Sequence, residues 1–305
     1  MPTKVLRGRK RRWEFAKKLV GILPLEWKRQ LLYLKHFRRW ANLNQPIRFS
    51  EKMQWRIIYD RSEQLAIACD KLRTYEHARS VASQAGLQIH TPHVLGFSAE
   101  ADTFIAELKR RQINGELPSR FVIKPNHGSG QVLLVDGVPD WPETAAQVRA
   151  WISRTEYSGL HWIWGYSRAR PGLIAEEYIG GTEEPVEWQV WMFNGEPAAY
   201  LLKQRNQAGF ARANYDSEWR RLPPWNNTDR DWLEVTVPPK LAPRVLNIAR
   251  VLSAGWSHLR VDLYVDSSNR IWIGELTPYS QEGLLRVSKD ADDFDRRLGE
   301  LWRLP

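Results

Sequence analysis

The chain has 305 residues, a formal net charge of +10 and 43% hydrophobic residues, enough apolar content for a folded core in about two domains. Its one cysteine, Cys69, excludes an internal disulfide and a cysteine-based metal cluster. The longest apolar runs are too short to span a bilayer, and no segment has the pattern of a signal peptide. These features predict a cytoplasmic protein.

The hydrophobic periodicity and the turn residues predict helices and strands in mixed order. The predicted helices cover most of 1–65 and residues 70–85, 98–111, 142–154 and 241–253. The predicted strands cover 91–97, 121–124, 132–135, 173–179, 187–193, 197–203, 261–265 and 271–276. Ser98 is the expected N-cap of the helix predicted over 98–111. Asn194-Gly195 is a hairpin turn signal, and the whole order predicts an α+β fold with antiparallel pairs.

The positive charge is concentrated near the N-terminus. Residues 1–40 carry 13 lysines and arginines and 2 glutamates, a balance of +11, whereas the other residues are almost neutral in sum. Trp13, Ala16, Val20 and Leu23 recur at helical spacing, which suits an amphipathic helix on an anionic membrane or an acidic polymer. A solvated helix packed on the body is the alternative. We expect no nucleic-acid binding, because the body lacks a matching basic stripe.

Two acidic residues face each other in the last predicted hairpin. A four-residue loop over 267–270 places Val265 opposite Trp272, Leu263 opposite Gly274 and Asp262 opposite Glu275. Like charges with Cβ atoms about 4.5–5.5 Å apart destabilise a sheet. A cation is therefore expected between them, and Mg²⁺ is the natural hard cation for carboxylates. The alternatives are that one carboxylate faces solvent or pairs with Arg260.

A lysine and a glycine-rich loop follow the predicted strand 121–124. The sequence Lys124-Pro-Asn-His-Gly128-Ser-Gly130 places a point charge beside backbone N–H groups that can approach phosphate oxygens. A plain hairpin turn is the alternative for this loop.

Several motifs in this order resemble those of the ATP-grasp superfamily. They are Asp70-Lys71, the Lys124 loop, Glu176-Glu177-Tyr178-Ile179, Arg260-Val-Asp262 and Gly274-Glu275-Leu-Thr277. The segments 46–55, 124–130, 193–197 and 260–264 are similar to the TupA-like branch, which is associated with teichuronopeptide and surface-polysaccharide biosynthesis. The resemblance implies an ATP-grasp fold with a helical N-terminal region and with ATP bound between two α+β lobes.

The resemblance also implies three regions and a role for each matching residue. The regions are a basic, mostly helical one over 1–90, a small lobe with the glycine loop and hinge over 91–185, and a large lobe with the Mg²⁺ site over 186–305. ATP phosphates would be bound by Lys71, Lys124, Gly128, Ser129 and Gly130. Adenine would lie at the hinge formed by Glu176, Glu177, Tyr178 and Ile179, and ribose beside either Glu183 or Glu187.

Metal and phosphoryl contacts complete the implied site. Asp262 and Glu275 would bind Mg²⁺ together with Thr277, which stands where many relatives have asparagine. Arg260, with Lys203, Arg205 and Arg212, would stabilise the transferring or acyl phosphate. For each of these cations a surface ion pair is the alternative.

These roles imply an ATP-dependent carboxylate–amine ligase that works through an acyl phosphate. The family context suggests that it joins an amino acid or a short acidic peptide to a surface-glycan precursor. The alternatives are an ATP-grasp kinase of a small substrate and a non-catalytic nucleotide-binding component of a glycan-assembly complex. We expect ATP and Mg²⁺ as cofactors, carboxylate and amine substrates that are small or glycan-linked, and a peripheral contact of residues 1–40 with the inner membrane face.

Overall fold

The computed structural model describes residues 23–153, 161–181, 183–206, 209–222, 241–284 and 291–305. The described helices are α1 (Leu25–Phe37), α2 (Phe49–Tyr59), α3 (Glu63–Cys69), α4 (Lys71–Gln84), α5 (Ala101–Ile113), α6 (Trp141–Ser153), α7 (Trp164–Arg168), α8 (Leu241–Leu252) and α9 (Ala291–Leu301). The described strands are β1 (Val94–Ser98), β2 (Arg120–Pro125), β3 (Leu133–Asp136), β4 (Leu173–Glu177), β5 (Val186–Phe193), β6 (Glu196–Asn206), β7 (Gly209–Asp216), β8 (Arg221–Leu222), β9 (His258–Val265) and β10 (Ile271–Thr277). This mixture of helices and antiparallel strands confirms the predicted α+β class.

The smaller sheet has the strand order β1-β4-β2-β3 within the described residues, and its strand pairs are antiparallel. Helices α5 and α6 form a core with it, because Phe104, Leu108, Val148 and Trp151 are buried together with the apolar side chains of β2 and β4. These elements fall inside the predicted small lobe, 91–185, whose limits stay a prediction. This sheet carries the glycine loop, which connects β2 to β3.

The larger sheet has the order β10-β9-β5-β6-β7-β8 in the described part of the chain and is also antiparallel. Helix α8 packs on β5, β6 and β9 and contributes to the main core. Strand β5 shows the two faces, since Trp188 and Val190 belong to the core while Glu187 and Gln189 line a cleft. The polar face of this sheet therefore forms the floor of that cleft.

One predicted helix starts at the wrong residue, and several elements of the structure were not predicted. The helix predicted from Ser98 begins at Ala101, because Ser98 ends β1 and its hydroxyl accepts the Glu100 N–H at 3.1 Å in a local turn. Strands β7 and β8 were not predicted, since Ala211 and Ala213 are the small buried residues of β7 and give a weak hydrophobic alternation. The helix over 70–85 and the Asn194-Gly195 hairpin are confirmed.

The β9–β10 hairpin begins in a register that differs from the prediction. Val265 pairs with Ile271, so the loop has one residue more than expected, and the pairing of Val265 with Trp272 is wrong. The cause is the carboxylate of Asp266, which accepts the backbone N–H groups of Ser268 at 2.9 Å and of Arg270 at 3.0 Å.

An irregularity at Gly274 then corrects the register. Leu263 pairs with Ile273 rather than with Gly274, and the next pair is Asp262 with Glu275. A Cβ on Gly274 would lie 2.7 Å from the Tyr264 ring, so glycine is the residue that fits here. The predicted opposition of Asp262 and Glu275 is confirmed.

Three consecutive left-handed residues follow β10. Gln281, Glu282 and Gly283 have φ values of 48°, 54° and 68°. This conformation costs a non-glycine residue roughly 1–2 kcal/mol, so packing must hold it. Arg29 of α1 donates to Glu282 Oε2 at 2.6 Å, and Gln54 of α2 donates to the Glu282 carbonyl at 2.7 Å. The N-terminal helices therefore fix the turn that leaves the end of β10.

The buried side chain of Arg56 ties α2 to the ends of β9 and β10. Its guanidinium is 2% exposed and donates to the His258 carbonyl at 2.8 Å, the Pro278 carbonyl at 3.0 Å and Ser257 Oγ at 3.0 Å. The ring of Trp302 lies 4.4 Å from it. Helix α2, the C-terminal residues and the two strand ends thus form one packed unit beside the cleft floor.

The buried ring of His258 predicts a specific pH dependence of stability. It stacks on Phe193 with 4.4 Å between ring centroids. Burial, reinforced by Arg56 and Arg260, lowers the pKa of His258 well below its ordinary value. The folded protein keeps this ring neutral, whereas the unfolded chain takes up a proton as the pH falls through about 6.5. We therefore expect the free energy of unfolding to decrease below that pH.

Denaturant unfolding of the native protein and of His258→Phe across about pH 5–8 measures this contribution. The phenylalanine keeps an aromatic ring in the cluster but removes the titrating group, so its unfolding free energy should depend less steeply on pH. Parallel pH profiles for the two proteins would contradict the assignment.

No helix in the described ranges is both long and apolar enough to cross a membrane.

Candidate active site

A cleft of about 790 Å³ opens between the two sheets. The small-sheet side contributes Lys124 and residues 129–132, and the large sheet contributes polar side chains from β5, β6, β7, β9 and β10. Lys71, from the start of α4, also lines it. The cleft therefore brings together motifs that are spread over more than 200 residues of sequence.

Strand register arranges the cleft floor in two rows. One row crosses β10, β9, β5, β6 and β7 through consecutive pairing partners: Glu275, Asp262, Gln189, Leu201 and Asn214. The adjacent row does the same from β9 to β7: Tyr264, Glu187, Lys203 and Arg212. With about 4.8 Å between neighbouring strands, the first row spans roughly 19 Å. The acidic end of the floor lies on β9 and β10, and the basic end lies on β6 and β7.

The guanidinium of Arg260 lies among the three predicted metal ligands. Its Nε donates to Asp262 Oδ1 at 2.7 Å, and its Nη2 donates to Asp262 Oδ2 at 2.5 Å, Glu275 Oε1 at 3.3 Å and Thr277 Oγ1 at 3.1 Å. The Thr277 hydroxyl donates to Glu275 Oε1 at 2.8 Å. Thr277 is buried and orients Glu275 in this structure, so its role as a metal ligand stays a prediction.

Burial and charge act differently on the two carboxylates. Burial raises the pKa of Asp262 to about 7 against the opposing effect of Arg260. Burial also acts on Glu275, but Lys71 and Arg260 outweigh it and lower the pKa of that group. The two short contacts from Arg260 to Asp262 are those of a charge-assisted bidentate pair, and we therefore assign Asp262 as ionised.

The residues present fit a Mg²⁺ ion. Asp262 and Glu275 offer anionic oxygens from neighbouring strands, and Arg260 shows that a cationic group is accommodated between them. Among the described residues no group of three or more His, Cys, Asp or Glu side chains could hold a metal ion. Mg²⁺ commonly takes only one or two carboxylates and completes its shell with substrate phosphate and water. The donor set here therefore suits a metal that arrives with a nucleotide.

Lys71 is aimed at the glycine loop by the cap of its own helix. Asp70 is buried and accepts the Arg73 N–H at 3.1 Å, which starts α4. The Asn126 carbonyl accepts the Lys71 N–H at 3.2 Å, and Lys71 Nζ donates to the Gly128 carbonyl at 2.6 Å. Burial lowers the pKa of Lys71, although Glu275 opposes it. The Asp70-Lys71 motif thus joins a helix cap to a cation at the glycine loop, and the phosphate contact of Lys71 stays a prediction.

The glycine loop has the backbone conformation that its glycines allow. Gly128 and Gly130 have φ values of 125° and 77°, which side-chain-bearing residues rarely adopt. Ser129 and Gly130 line the cleft, as the predicted phosphate role requires. His127 braces the loop, since its Nδ1 accepts the Gly172 N–H at 3.3 Å.

Lys124 lines the cleft and is held from behind by Glu176 and Tyr75. Lys124 and Glu176 form an ion pair, and the Tyr75 hydroxyl donates to Glu176 Oε2 at 2.9 Å. The same hydroxyl accepts a hydrogen bond from Lys124 Nζ at 3.1 Å. Burial and the charge of Glu176 raise the pKa of Tyr75 well above its ordinary value, so it remains a donor. The carboxylate of Glu176 therefore positions the lysine.

The predicted hinge has its carboxylates turned toward protein partners. Glu177 Oε1 accepts the His93 N–H at 2.9 Å, and the Glu177 N–H donates to the His93 carbonyl at 2.9 Å. The Glu176 carboxylate forms an ion pair with Lys124. Adenine binding by the backbone of Tyr178 and Ile179 stays a prediction.

The two candidates for the ribose contact lie in different surroundings. Glu187 lines the cleft, where its Oε1 accepts from Gln189 Nε2 at 2.6 Å and from Lys203 Nζ at 3.2 Å. Glu183 is exposed. The position of Glu187 on the cleft floor favours it as the ribose contact.

Replacing Glu187 with glutamine is expected to weaken ATP binding about tenfold, because one charged acceptor worth roughly 1.5 kcal/mol is lost. Glu183→Gln is the matched control and should bind ATP like the native protein. Calorimetric titration of both variants with ATP measures the difference. A loss of affinity in Glu183→Gln alone would reverse the assignment.

The remaining predicted cations also line the cleft. Lys203 pairs with Glu187, Arg212 lies directly opposite Lys203 on β7, and Arg205 follows on β6. Their catalytic roles stay predictions.

Sequence reasoning missed several cleft residues. Gln189 and Tyr264 could have been found, because they follow Glu187 and Asp262 at the period-two spacing of a strand. Asn214 lies on the unpredicted strand β7, and Gln281 lies on the left-handed turn after β10, so neither carried a comparable signal.

Two facing sheets with lysines, a glycine loop and opposed carboxylates in one cleft correspond to the ATP-grasp class of nucleotide-dependent proteins. The family model described as TupA-like ATPgrasp matches residues 51–303, and the chain belongs to this family. No curated protein matches the chain.

The chain is also similar in fold to distant solved structures. An L-amino acid ligase from Bacillus licheniformis is 16% identical, with a TM-score of 0.43 over 69% of this chain and 43% of that one. A D-alanine–D-alanine ligase from Bacillus anthracis complexed with ATP is 16% identical, with a TM-score of 0.41 over 78% of this chain and 65% of that one. The macrocyclase MdnC from Microcystis aeruginosa, bound to its precursor peptide MdnA, is 12% identical, with a TM-score of 0.42 over 81% and 64%. The chain thus spans 43–65% of the length of these three proteins.

Proposed function

We propose that this chain is an ATP-dependent ligase that joins a carboxylate to an amine through an acyl phosphate. The observation that carries this proposal is the convergence of Lys71, Lys124, Arg260, Asp262 and Glu275 on one cleft between two sheets. Phosphoryl transfer requires positioning and charge neutralisation more than covalent participation by the protein, and these residues supply both.

The residues of the cleft have different roles in this reaction. Lys71 and Lys124 neutralise phosphate oxygens beside the glycine loop, whose backbone N–H groups can approach the same oxygens. Arg260 stabilises negative charge on the phosphoryl group in transfer. Asp262 and Glu275 would hold Mg²⁺, which when bound neutralises the phosphate charge and orients it.

The reaction has two steps. A carboxylate oxygen of the substrate attacks the γ-phosphorus of ATP, the bond from that phosphorus to the β,γ-bridging oxygen breaks, and ADP leaves. The amine nitrogen then attacks the acyl carbon, phosphate leaves with the electrons of the acyl C–O bond, and the nitrogen loses a proton to solvent. The product is an amide.

The charge of the cleft supports an anionic substrate. Among the described residues that line it, six are cationic: Lys71, Lys124, Lys203, Arg205, Arg212 and Arg260. Three are carboxylates: Glu187, Asp262 and Glu275. This excess suits the phosphates of ATP and an anionic substrate group, and the family context suggests the joining of an amino acid or short acidic peptide to a surface-glycan precursor.

Phosphate release measured against a matrix of carboxylates and amines tests the function, with mass analysis of each product. We expect release that needs both substrates and an amide as the product. A stable phosphorylated product without any amine would establish a kinase instead. If the protein binds ATP but releases no more phosphate with any pair than Lys124→Met does, a non-catalytic nucleotide-binding role would be favoured.

A further inference from the structure

Two tryptophans stand out on the surface beside α1. Trp27 is 57% exposed and Trp40 is 51% exposed. Their ring centroids are 6.4 Å apart at an interplanar angle of 88°, so each indole contacts the other edge to face. Tryptophan is usually well buried, and an exposed indole pair marks a surface that another phase or molecule covers.

Helix α1 extends this pair into a stripe. Trp27, Leu31 and Lys35 follow one another at spacings of four residues, which places them on one side of the helix, and Arg38 follows as its left-handed C-cap. Lys35 and Arg38 are exposed, and Leu31 is half-buried. The stripe therefore joins aromatic and aliphatic surface to cationic side chains.

The opposite side of α1 faces the protein. Arg29 and Tyr33 are fully buried there, and His36 lines the cleft. His36 is nine residues after Trp27, which is half a turn out of phase and so on the other side of the helix. A helix is about 10–12 Å across with its side chains, so the outward stripe lies about that far from the cleft.

The charge around the stripe points to an anionic partner. Glu26 is the acidic residue of α1, and it hydrogen-bonds to Tyr59. The sequence from 1 to 40 has a balance of +11, and α1 lies within it. The partner must therefore accept both indole rings and many positive charges.

We infer that the outward stripe of α1, together with Trp40, docks on the surface of an anionic lipid bilayer. Indole rings settle at the level of the lipid headgroups, and lysine and arginine side chains reach the charged phosphates while their methylene stems stay in the apolar layer. A soluble polyanion would satisfy the charges but would leave the indole pair in water. Docking in this way holds the cleft within about one helix diameter of the membrane surface.

Co-sedimentation of the full chain with vesicles tests this inference without ATP. We expect binding to phosphatidylcholine vesicles that contain phosphatidylglycerol to be at least tenfold tighter than binding to phosphatidylcholine alone. The double variant Trp27→Ala/Trp40→Ala should bind the anionic vesicles at least tenfold more weakly. The control variant Ile113→Ala/Val138→Ala, which removes side chains that are 85% and 75% exposed, should bind like the native protein.

A fluorescent label on the stripe distinguishes insertion of the stripe into the bilayer from binding by the basic residues 1–22. Cys69 is the single cysteine and is buried, so Leu31→Cys, which keeps both tryptophans, can be labelled selectively with an environment-sensitive dye. The dye emission should shift to the blue on addition of anionic vesicles. Sedimentation with no shift, or unchanged binding by the tryptophan double variant, would overturn the inference and assign the contact to residues 1–22.

Soluble polyglutamate provides the remaining arm of the test. If the tryptophan variant loses polyglutamate binding to the same extent as vesicle binding, the stripe binds acidic polymer and the lipid assignment is overturned. Because these measurements involve no nucleotide, their failure would leave the proposed ligase untouched.

Discussion

Replacing Glu275 with glutamine is expected to remove the Mg²⁺ dependence of ATP binding and to slow turnover at least about 100-fold. Glu275 lies directly opposite Asp262, and its carboxylate is kept ionised by Lys71 and Arg260. The amide keeps the shape of the side chain but removes its charge. Free ATP should bind at least as well as before, because the cleft has lost one negative charge while Lys71 and Lys124 remain.

Calorimetric titration with ATP in the presence and absence of Mg²⁺ separates these two effects. Glu183→Gln, the same change at an exposed position, serves as the control and should retain the Mg²⁺ effect. If Glu275→Gln binds ATP with the native dependence on Mg²⁺, the assignment of Glu275 as a ligand fails.

Replacing Arg56 with methionine is expected to lower the free energy of unfolding by about 2–5 kcal/mol. The guanidinium donates to the buried ends of two strands, at His258 and Pro278, and each carbonyl left without its donor costs about 1–3 kcal/mol. Methionine retains apolar contact with Trp302, so the loss reports the polar contacts. Because these strands carry Asp262 and Glu275, the change should also weaken Mg²⁺-dependent ATP binding.

Denaturant unfolding of Arg56→Met and Arg61→Met gives the comparison. Arg61 also donates to backbone carbonyls near the end of α2, at 2.6 Å to Ile58 and 2.7 Å to Asp60, but it is exposed. Water can replace its bonds, and the expected change is within about 0.5 kcal/mol. Equal losses in the two variants would show that burial of Arg56 is not what makes its hydrogen bonds valuable.

The pairing of Asp262 with Glu275 shows how much of the strand register hydrophobic alternation can predict. Alternation along the two strands predicted Asp262 opposite Glu275, and the structure has them paired. The predicted strand register between the turn and this pair was wrong. Asp266 adds one residue to the loop, and the irregularity at Gly274 shifts the register back by one residue. Turn chemistry from a side chain and a bulge at a glycine act over a few residues, but neither follows from hydrophobic alternation.

Contacts between segments that are distant in sequence could not be predicted from the sequence alone. Lys124 and Glu176 are both motif residues, but only the pairing of β2 with β4 shows that one holds the other. The basic end of the cleft depends on β7, whose buried alanines give little signal beside the large apolar residues of β5. Arg260 was expected to act on phosphate, and its bidentate contact with Asp262 was one of the alternatives for that carboxylate.

The left-handed turn after β10 has a consequence for how the chain folds. Arg29 and Glu282, which meet there, are 253 residues apart in sequence. Arg29 therefore has no native partner at this turn until the residues that separate it from Glu282 have been made. Contacts of such long sequence separation form late, because the loop they close is entropically costly. The acidic end of the cleft is therefore expected to be the last part of the protein to order, and pulsed hydrogen exchange during refolding should show Glu282 and Gly283 protected after β5 and β6.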